Sequence, residues 1–287
     1  MSEPFGSELT SIRSPRVKAA RRLAKRALRL RARSFLAEGP QAVGEALASD
    51  GVVSELFITA AARARHAELA ERAARQGAHV QAVSGEVMAG IAQTITPQGV
   101  LAVCRYVDIP LERLAAAAPR LVAILANVRD PGNAGTVLRT ADAAGAGGVI
   151  FSDASVDPYN SKCVRATAGS IFHLPLVAGA SVAEAVRAMR EAGLRIVAAD
   201  GRAGRSLDET GPAGPQEPGG PLGRPTAWLF GNEAWGLPAD VLALADDVVA
   251  VPIYGKAESL NLAAAAAVCL YASAHAIRAS QATRVQR

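Results

Sequence analysis

Aromatic residues and cysteines are scarce in this sequence. Aromatics make up 4% of the 287 residues, although hydrophobic residues as a whole make up 50%. The chain is long enough to bury a core, which must be built largely from small side chains. The three cysteines, Cys104, Cys163 and Cys269, lie far apart without a Cys-x-x-Cys spacing. Because this spacing suits neither a zinc site nor a disulfide framework, we predict no metal and a reducing, cytoplasmic location.

Membrane signals are also missing from the sequence pattern. We find no long apolar span, and the arginine-rich N-terminus lacks the hydrophobic core of a signal peptide. We therefore expect a soluble protein without a membrane partner.

Two motifs that bind nucleotide phosphates are absent. No Gly-Lys-Ser or Gly-Lys-Thr occurs, which excludes a P-loop. The stretch DPGNAGTVLR, which follows an apolar run, offers only Gly132 and Gly135 where a dinucleotide fingerprint needs three spaced glycines. Its first turn also differs from that of the common open-sheet methyltransferases, although Asp153 could supply their acidic residue.

Positive charge is concentrated in the first part of the chain. Residues 1–110 carry 15 Lys/Arg against 10 Asp/Glu, whereas residues 111–287 carry 16 of each. Ten basic residues and no acid fall between Arg13 and Arg33. On a helix such a run lacks i,i+4 partners, so nucleic acid is favoured over a plain solvated face or a membrane-surface helix. The predicted contacts are Arg16, Lys18, Arg21, Arg22, Lys25, Arg26 and Arg29.

Strands and helices alternate in two series, which predicts two α/β domains. We assign residues 1–107 to a basic N-terminal helix and a first domain, 108–119 to a linker, and 120–287 to a second domain. Residues 211–225 hold five glycines and five prolines, which predicts an exposed loop.

Polar side chains follow three strands of the second domain. Asp130-Pro131-Gly132-Asn133 predicts a turn in which Asn133 caps a helix. That helix buries Ala134, Val137, Leu138, Ala141 and Ala144 and leaves Arg139 exposed, either facing a cleft or pairing with Asp142. Glu233 follows another strand, and Ser259 and Asn261 open a third helix, where Ser259 could serve as its N-cap. Since open α/β sheets bind ligands at strand ends, we expect one shared cleft.

These stretches resemble the SpoU (TrmH-like) group of RNA 2'-O-ribose methyltransferases of the SPOUT superfamily. NVRDPGNAGTVLRTADAAGAGGVI, LFGNEAWGLP and VPIYGKAESLNLAAAAA resemble the three family motifs in order, within residues 121–279. DPYNSKCVRATAGSIFHLPL is similar to a family segment, with Arg165 and Gly169 in matching places. Ala234 departs from the second motif, where glycine is usual. Residues 13–107 resemble, more loosely, a substrate-binding domain similar to a small ribosomal protein.

The resemblance implies a SPOUT-type α/β catalytic domain with a C-terminal deep trefoil knot, preceded by a smaller α/β RNA-binding domain. It also implies a homodimer that uses S-adenosylmethionine to methylate a ribose 2'-hydroxyl in RNA, with ribosomal RNA favoured over tRNA and no DNA. Arg139 would be the essential catalytic residue, assisted by Asn133, Glu233, Ser259 and Asn261, and Arg165 would contact RNA. The implied cofactor residues are Phe230, Gly231, Val251, Ile253, Leu260 and Leu262.

Three alternatives stay open at this point. The first is a tRNA 2'-O-methyltransferase, and the second is a base methyltransferase on the same fold. The third is a non-catalytic RNA-binding or ribosome-assembly protein.

Overall fold

The structure is a computed structural model that describes residues 7–210 and 221–285. The chain forms two compact units: the first extends to Val107 and also takes in Tyr159–His173, and the second comprises Asp108–Pro158 and the chain from Leu174 onward. Of the predicted 211–225 loop, residues 211–220 lie outside the described residues. Pro221–Gly223 forms a single 3-10 turn with Leu222 buried.

The helices and strands alternate along most of the chain. Up to residue 107 the elements are α1 (Pro15–Arg22), α2 (Arg26–Ala32), β1 (Ser34–Glu38), α3 (Pro40–Ala46), β2 (Val53–Ile58), α4 (Ala60–Arg65), α5 (Ala67–Arg75), β3 (His79–Ala82), α6 (Gly85–Ile91) and β4 (Val100–Arg105). Beyond it they are α7 (Leu111–Ala116), β5 (Leu121–Leu125), α8 (Pro131–Ala143), β6 (Gly148–Ser152), α9 (Ser161–Ala166), β7 (Leu176–Ala180), α10 (Val182–Glu191), β8 (Arg195–Ala199), β9 (Thr226–Phe230), α11 (Ala239–Leu242), β10 (Asp247–Val249) and α12 (Leu262–Val285).

Each unit is built on one sheet. The first unit has four strands in the order β1-β4-β2-β3, of which β2 and β3 are parallel and the other pairs antiparallel. The second unit has six parallel strands in the order β10-β8-β9-β5-β6-β7. Its central strands are apolar and fully buried, as expected of a parallel sheet covered on both faces. Strand β9 lies between β8 and β5, so the loops after β5 and β9 begin side by side.

The basic run forms two short helices, α1 and α2, instead of the single helix predicted from the sequence. Arg29 explains the break. Its guanidinium is buried and donates from Nη1 to the carbonyl oxygens of Leu23 (2.8 Å) and Ala24 (2.9 Å) at the end of α1. These carbonyls lack partners within the helix, so Arg29 satisfies them. Arg29 is therefore not part of the exposed basic surface, contrary to the prediction. The other predicted contacts in the run are exposed: Arg16, Lys18, Arg21, Arg22, Lys25 and Arg26.

The segment Tyr159–His173 packs in the first unit, although the sequence analysis placed it in the second domain. Aromatic rings hold it there: Tyr159 stacks on Tyr106 with centroids 3.7 Å apart, and Phe172 stacks on Phe35 at 5.9 Å. The Tyr159 hydroxyl also accepts a hydrogen bond from the Val107 amide at 2.9 Å. Aromatic pairs contribute beyond the area they bury, and their partners lie too far apart in sequence for periodicity to reveal them.

Helix α12 corrects the expectation that the chain holds no long apolar span. Residues Leu262–Ala282 are long and apolar enough to cross a membrane by length and composition alone. One such helix is weak evidence for a membrane, because core helices pass the same test. In the second unit α12 packs against α8 and the central strands, and it buries Ala266, Cys269 and Ser273. Buried Trp228 of β9 donates from Nε1 to the Ser273 hydroxyl at 2.9 Å, which fixes the helix against the sheet.

Candidate active site

The N-cap of helix α8 lies three residues before Asn133, the predicted cap. This N-cap is Asp130, whose Oδ1 accepts the Asn133 amide at 2.8 Å, and Pro131 occupies the first turn. Proline suits this position because its missing N–H would have had no partner within the helix. The prediction that Asn133 is the cap is therefore wrong, and the Asn133 side chain is available for other contacts. The predicted buried stripe is confirmed, since Ala134, Val137, Leu138, Ala141 and Ala144 are all buried.

The Asn133 side chain joins the three predicted motifs. Its Nδ2 donates to Glu233 Oε1 at 3.0 Å, and its Oδ1 accepts from Asn261 Nδ2 at 3.0 Å. Glu233 follows β9, and Asn261 precedes α12. The Glu233 carboxylate, when ionised, accepts hydrogen bonds but cannot donate them, so the Asn133 amide nitrogen must face it. This orientation leaves the Asn133 oxygen facing Asn261, whose amide nitrogen must then be the donor. Residues from three separate strand ends thus form one hydrogen-bonded chain.

A tight turn after β9 presents Glu233. Asn232 is buried, donates from Nδ2 to the Asn127 carbonyl at 3.0 Å, and accepts the Ala234 amide at 2.8 Å. The Asn232 and Gly236 backbones exchange two hydrogen bonds, of 3.0 and 2.9 Å. Gly236 takes φ 70°, which favours glycine, whereas Ala234 is exposed and has no such requirement. The alanine at 234 is therefore compatible with this turn.

The turn requires glycine at position 231, because there is no room there for a side chain. A Cβ at this position would lie 2.6 Å from the backbone carbon and oxygen of Gly236. The turn can close only because the two glycine backbones approach so closely.

Arg139 lies on the exposed face of α8, one turn beyond Thr136. Within the described part of the chain, its guanidinium makes no hydrogen bond or ion pair, so the alternative pairing with Asp142 does not form. An exposed, permanently charged guanidinium on this face can bind a phosphate or another anion.

The loop between β10 and α12 exposes apolar side chains. Ile253 is 37% and Leu260 40% exposed, and Tyr254 donates its hydroxyl proton to Asp208. Ser259 is exposed, and the N-cap of α12 is Asn261, which accepts the Ala263 amide at 2.9 Å. The alternative in which Ser259 caps this helix is thus wrong.

The remaining predicted cofactor residues differ in accessibility. Val251 and Leu262 are half-buried. The Phe230 ring is buried beside Trp228, with centroids 6.1 Å apart. Phe230 therefore supports the strand from within the core, and its ring is inaccessible to a ligand.

Sequence reasoning missed an ion pair beside the Gly236 turn. Asp200, which follows β8, accepts from Arg202 Nε at 3.0 Å and from Nη2 at 2.8 Å. The hydrogen bond from Arg202 holds the pKa of the Asp200 carboxyl below its usual range. A Cβ on Gly236 would lie 3.3 Å from both partners, so this pair packs directly on the turn. An acidic residue directly after a strand, two positions before an arginine, was the available signal.

Comparison with known proteins identifies the family. Residues 120–271 match the model of the SpoU rRNA Methylase family, and residues 14–102 match the MRM3-like substrate binding domain. The chain belongs to the SpoU rRNA methylase family. It is 33% identical to the 23S rRNA (guanosine(2553)-2'-O)-methyltransferase RlmP of Bacillus subtilis, over 92% of this chain and 98% of the relative.

Solved SpoU-family structures share the fold. The AdoMet-bound rRNA methyltransferase from Sinorhizobium meliloti superposes with a TM-score of 0.81 at 32% identity, over 94% of this chain and 97% of that one. The SpoU methyltransferase AviRb from Streptomyces viridochromogenes, in complex with AdoMet, gives 0.75 at 28% identity, over 92% and 98%. The predicted family and the predicted α/β class are confirmed.

Proposed function

We propose that this protein transfers a methyl group from S-adenosylmethionine to a ribose 2'-hydroxyl in ribosomal RNA. The observation that carries the proposal is the hydrogen-bonded chain Glu233–Asn133–Asn261, which unites polar residues of all three family motifs. The relatives support the substrate, since several are named 23S rRNA 2'-O-methyltransferases.

In this proposal Arg139 acts electrostatically. A guanidinium stays protonated at any physiological pH, so it cannot accept the hydroxyl proton. Arg139 instead binds a phosphate next to the target ribose and stabilises the negative charge that develops on the 2'-oxygen. The proton leaves to that phosphate or to water as the oxygen forms its bond to the methyl carbon.

The polar chain positions the ribose. Asn133 is held on both sides, so its amide and the Glu233 carboxylate keep fixed directions before substrate arrives. Such preorganisation lowers the entropic part of the barrier, because the reacting hydroxyl need not find its orientation by chance. Ser259, exposed at the start of the same helix region, is a further ribose contact in this proposal.

The loop of residues 250–261 and the Gly231 turn fit S-adenosylmethionine. Exposed Ile253 and Leu260 offer apolar surface for an adenine ring, and a Cβ on Gly255 would meet no atom within 4 Å, so the backbone there is open to a ligand. Val251 and Leu262 flank this surface. The solved rRNA methyltransferase from Sinorhizobium meliloti and the solved AviRb complex both contain AdoMet. When bound, the cofactor supplies the electrophilic methyl group.

Three further features belong to the proposal. The apolar side chains of Val268 and Tyr271 on α12, each 43% exposed, would be covered in a homodimer. The segment from β9 to α12 would form the trefoil knot, which is supported by the insertion of β9 between β5 and β8. The three buried cysteines form no disulfide, which suits a cytoplasmic location.

Methylation of isolated RNA tests the function. Protein would be incubated with radiolabelled S-adenosylmethionine and either ribosomal RNA or tRNA from cells that lack the gene, followed by mapping of 2'-O-methyl sites. We expect label in ribosomal RNA at one ribose, and loss of about 10²-fold or more for Arg139→Ala. Arg187→Ala, an exposed arginine of α10, is the matched control.

The competing functions give different results in the same assay. Label in tRNA alone would favour the tRNA enzyme, and label on a base would favour the base methyltransferase. RNA binding without cofactor binding, measured by titration calorimetry, would favour a non-catalytic protein. Arg139→Lys keeps the charge but not the planar fork, so full activity of that variant would refute bidentate phosphate binding.

A further inference from the structure

The first unit contains a cavity of about 210 Å³ that no part of the proposed reaction uses. Its wall is formed by the end of β1, the start of α3, the end of α6, the loop before β4, and α9. The residues that matter for its chemistry are Glu38, Thr94, Thr96, Gln98 and Arg165. Sites for drug-sized ligands usually measure about 300–1,000 Å³, so this cavity suits one small planar group.

Glu38 supplies a fixed, buried carboxylate to the cavity. Its side chain is only 7% exposed. Oε1 accepts the Gln93 amide at 2.9 Å, and Oε2 accepts the Thr94 hydroxyl at 3.1 Å. A carboxylate has about four acceptor positions, so each oxygen keeps capacity for one further donor. The two existing hydrogen bonds hold the carboxylate in one orientation, which also fixes the directions of its unused lone pairs.

Arg165 supplies an unsatisfied donor beside that carboxylate. Its Nη1 lies 3.6 Å from Glu38 Oε1, which is an ion pair without a hydrogen bond. The same nitrogen is buried and has no hydrogen-bond partner among the residues that the structure describes. A buried donor without an acceptor is destabilising, and a ligand acceptor in the cavity would remove that penalty. The cavity therefore calls for a ligand with donors for Glu38 and an acceptor for Arg165.

The remaining walls favour a flat, uncharged ligand. Met88 and Leu101 form an apolar floor that belongs to the core of the unit. Ile95, in the loop between lining residues Thr94 and Thr96, is fully exposed and would cover the face of a ring at the rim. A phosphate does not fit, because it would face the Glu38 carboxylate.

We propose that this cavity binds one unpaired guanine of the substrate RNA and so contributes to choosing the RNA. Guanine is the common base with two adjacent donors on its Watson–Crick edge, N1–H and N2–H, which match the two Glu38 oxygens. Its neighbouring O6 is the acceptor that Arg165 lacks. Single-stranded RNA is read through this edge when bases are unstacked. The inference rests on the proposed RNA function, but it concerns recognition and not methyl transfer.

The sequence predicts that Arg165 contacts RNA, and the cavity specifies which part of the RNA it contacts. It reads a base edge inside a cavity instead of contacting phosphate on the surface. The exposed basic residues of α1 and α2 would supply the attraction that is independent of sequence.

Binding of short RNAs to the full-length protein tests the proposal. The probes are fluorescein-labelled decauridylates that carry one central guanosine, inosine or adenosine, measured by anisotropy without cofactor. Inosine lacks the 2-amino donor of guanosine. We expect guanosine to bind about tenfold more tightly than adenosine, with inosine in between. Equal binding of all three probes would overturn the proposal.

Variants locate the effect. Glu38→Gln replaces one acceptor by a donor and should abolish the guanosine preference, whereas Glu86→Gln, an exposed carboxylate on α6, should keep it. Ala92→Leu fills the cavity without a charge change and should also abolish the preference while overall salt-dependent binding persists. Retention of the full preference by both Glu38→Gln and Ala92→Leu would refute the site, even where Glu38→Gln alone lowers stability.

The two proposals fail separately. Ribose methylation by a protein that shows no guanosine preference would remove this inference and leave the function intact. A guanosine preference in a protein that methylates no RNA would do the reverse.

Discussion

The Asn133 side-chain nitrogen lies 3.0 Å from Glu233 Oε1, so one hydrogen bond joins residues 100 positions apart in the chain. The bond is possible because β5 and β9 are neighbours in register, with Leu125 opposite Phe230. Asn261 extends the same chain from the start of α12.

Asn133→Ala should lower kcat/KM by about 10²-fold, because both neighbours lose the partner that orients them. Asn133→Asp should be at least as damaging, since it places a second carboxylate against Glu233. Single-turnover methylation measures both. Thr140→Ala, on the same helix, should stay near wild type, and comparable losses there would mean that α8 is merely sensitive to substitution.

Gly231→Ala should lower the melting temperature and weaken cofactor binding, because the added Cβ would lie 2.6 Å from the Gly236 backbone. Differential scanning fluorimetry and titration with S-adenosylmethionine report the two effects. Gly201→Ala is the control, since a Cβ there meets nothing within 4 Å. An unchanged melting temperature for Gly231→Ala would show that the turn can open without cost.

Ser273→Ala should destabilise the second unit by about 1–3 kcal/mol, because it leaves the buried Trp228 N–H without its acceptor. Urea denaturation followed by tryptophan fluorescence measures the change. Ser161 is half-buried and its hydroxyl donates to Gln93 in a solvent-exposed hydrogen bond, so Ser161→Ala should change the free energy of unfolding by less than about 0.5 kcal/mol. Equal effects of the two variants would contradict this account.

Asp200→Asn should lower the free energy of unfolding at pH 7 by about 1–2 kcal/mol. The value is at the low end for a charged hydrogen bond, because Arg202 is largely exposed and solvent screens the interaction. The pKa of Asp200 is lowered in the folded state, so its contribution is complete above the unfolded value of about 4 and is lost as the pH falls through the folded value. The difference in melting temperature between the two proteins should therefore shrink as the pH falls below the unfolded value of about 4. A difference that stays constant from pH 7 to the lowest pH at which both proteins remain folded would exclude charge as its cause.

Replacing Arg21 and Arg22 together by alanine should weaken binding of any RNA and make it less sensitive to salt. Each phosphate contact removed lowers the slope of log K against log salt by about 0.7–0.9. Anisotropy titrations at several salt concentrations give the slope. Arg187→Ala, in the other unit, should leave it unchanged, and an unchanged slope for the double variant would place the RNA elsewhere.

Much of the fold follows from local sequence patterns. The buried face of α8 and the apolar strands β5 and β9 are where periodicity predicts them, because each buries a regular stripe. Strand β7 gives only a weak sequence signal, since LVAGA is short, contains glycine and is buried only at its start. Helix α6 is also hard to predict, because its two glycines weaken the helical pattern.

The details of the site needed three-dimensional information. Asp130 and Asn133 are both good caps, and only the placement of Pro131 in the first turn decides between them. Arg29 looks like any other arginine in a basic run, yet it ends up inside because α1 stops at Leu23. The ion pair of Asp200 and Arg202 gains significance only from its contact with Gly236, which lies on another strand end.

The packing of Tyr159–His173 with the first unit constrains how such a protein can be rearranged by recombination. A gene fusion that exchanges residues 1–107 alone would leave Tyr159 and Phe172 behind, facing rings that no longer match. A working chimera must carry two separate pieces of sequence from the same parent. The first unit is thus one compact body in space but two separate segments of the gene, which makes it difficult to exchange as a single piece.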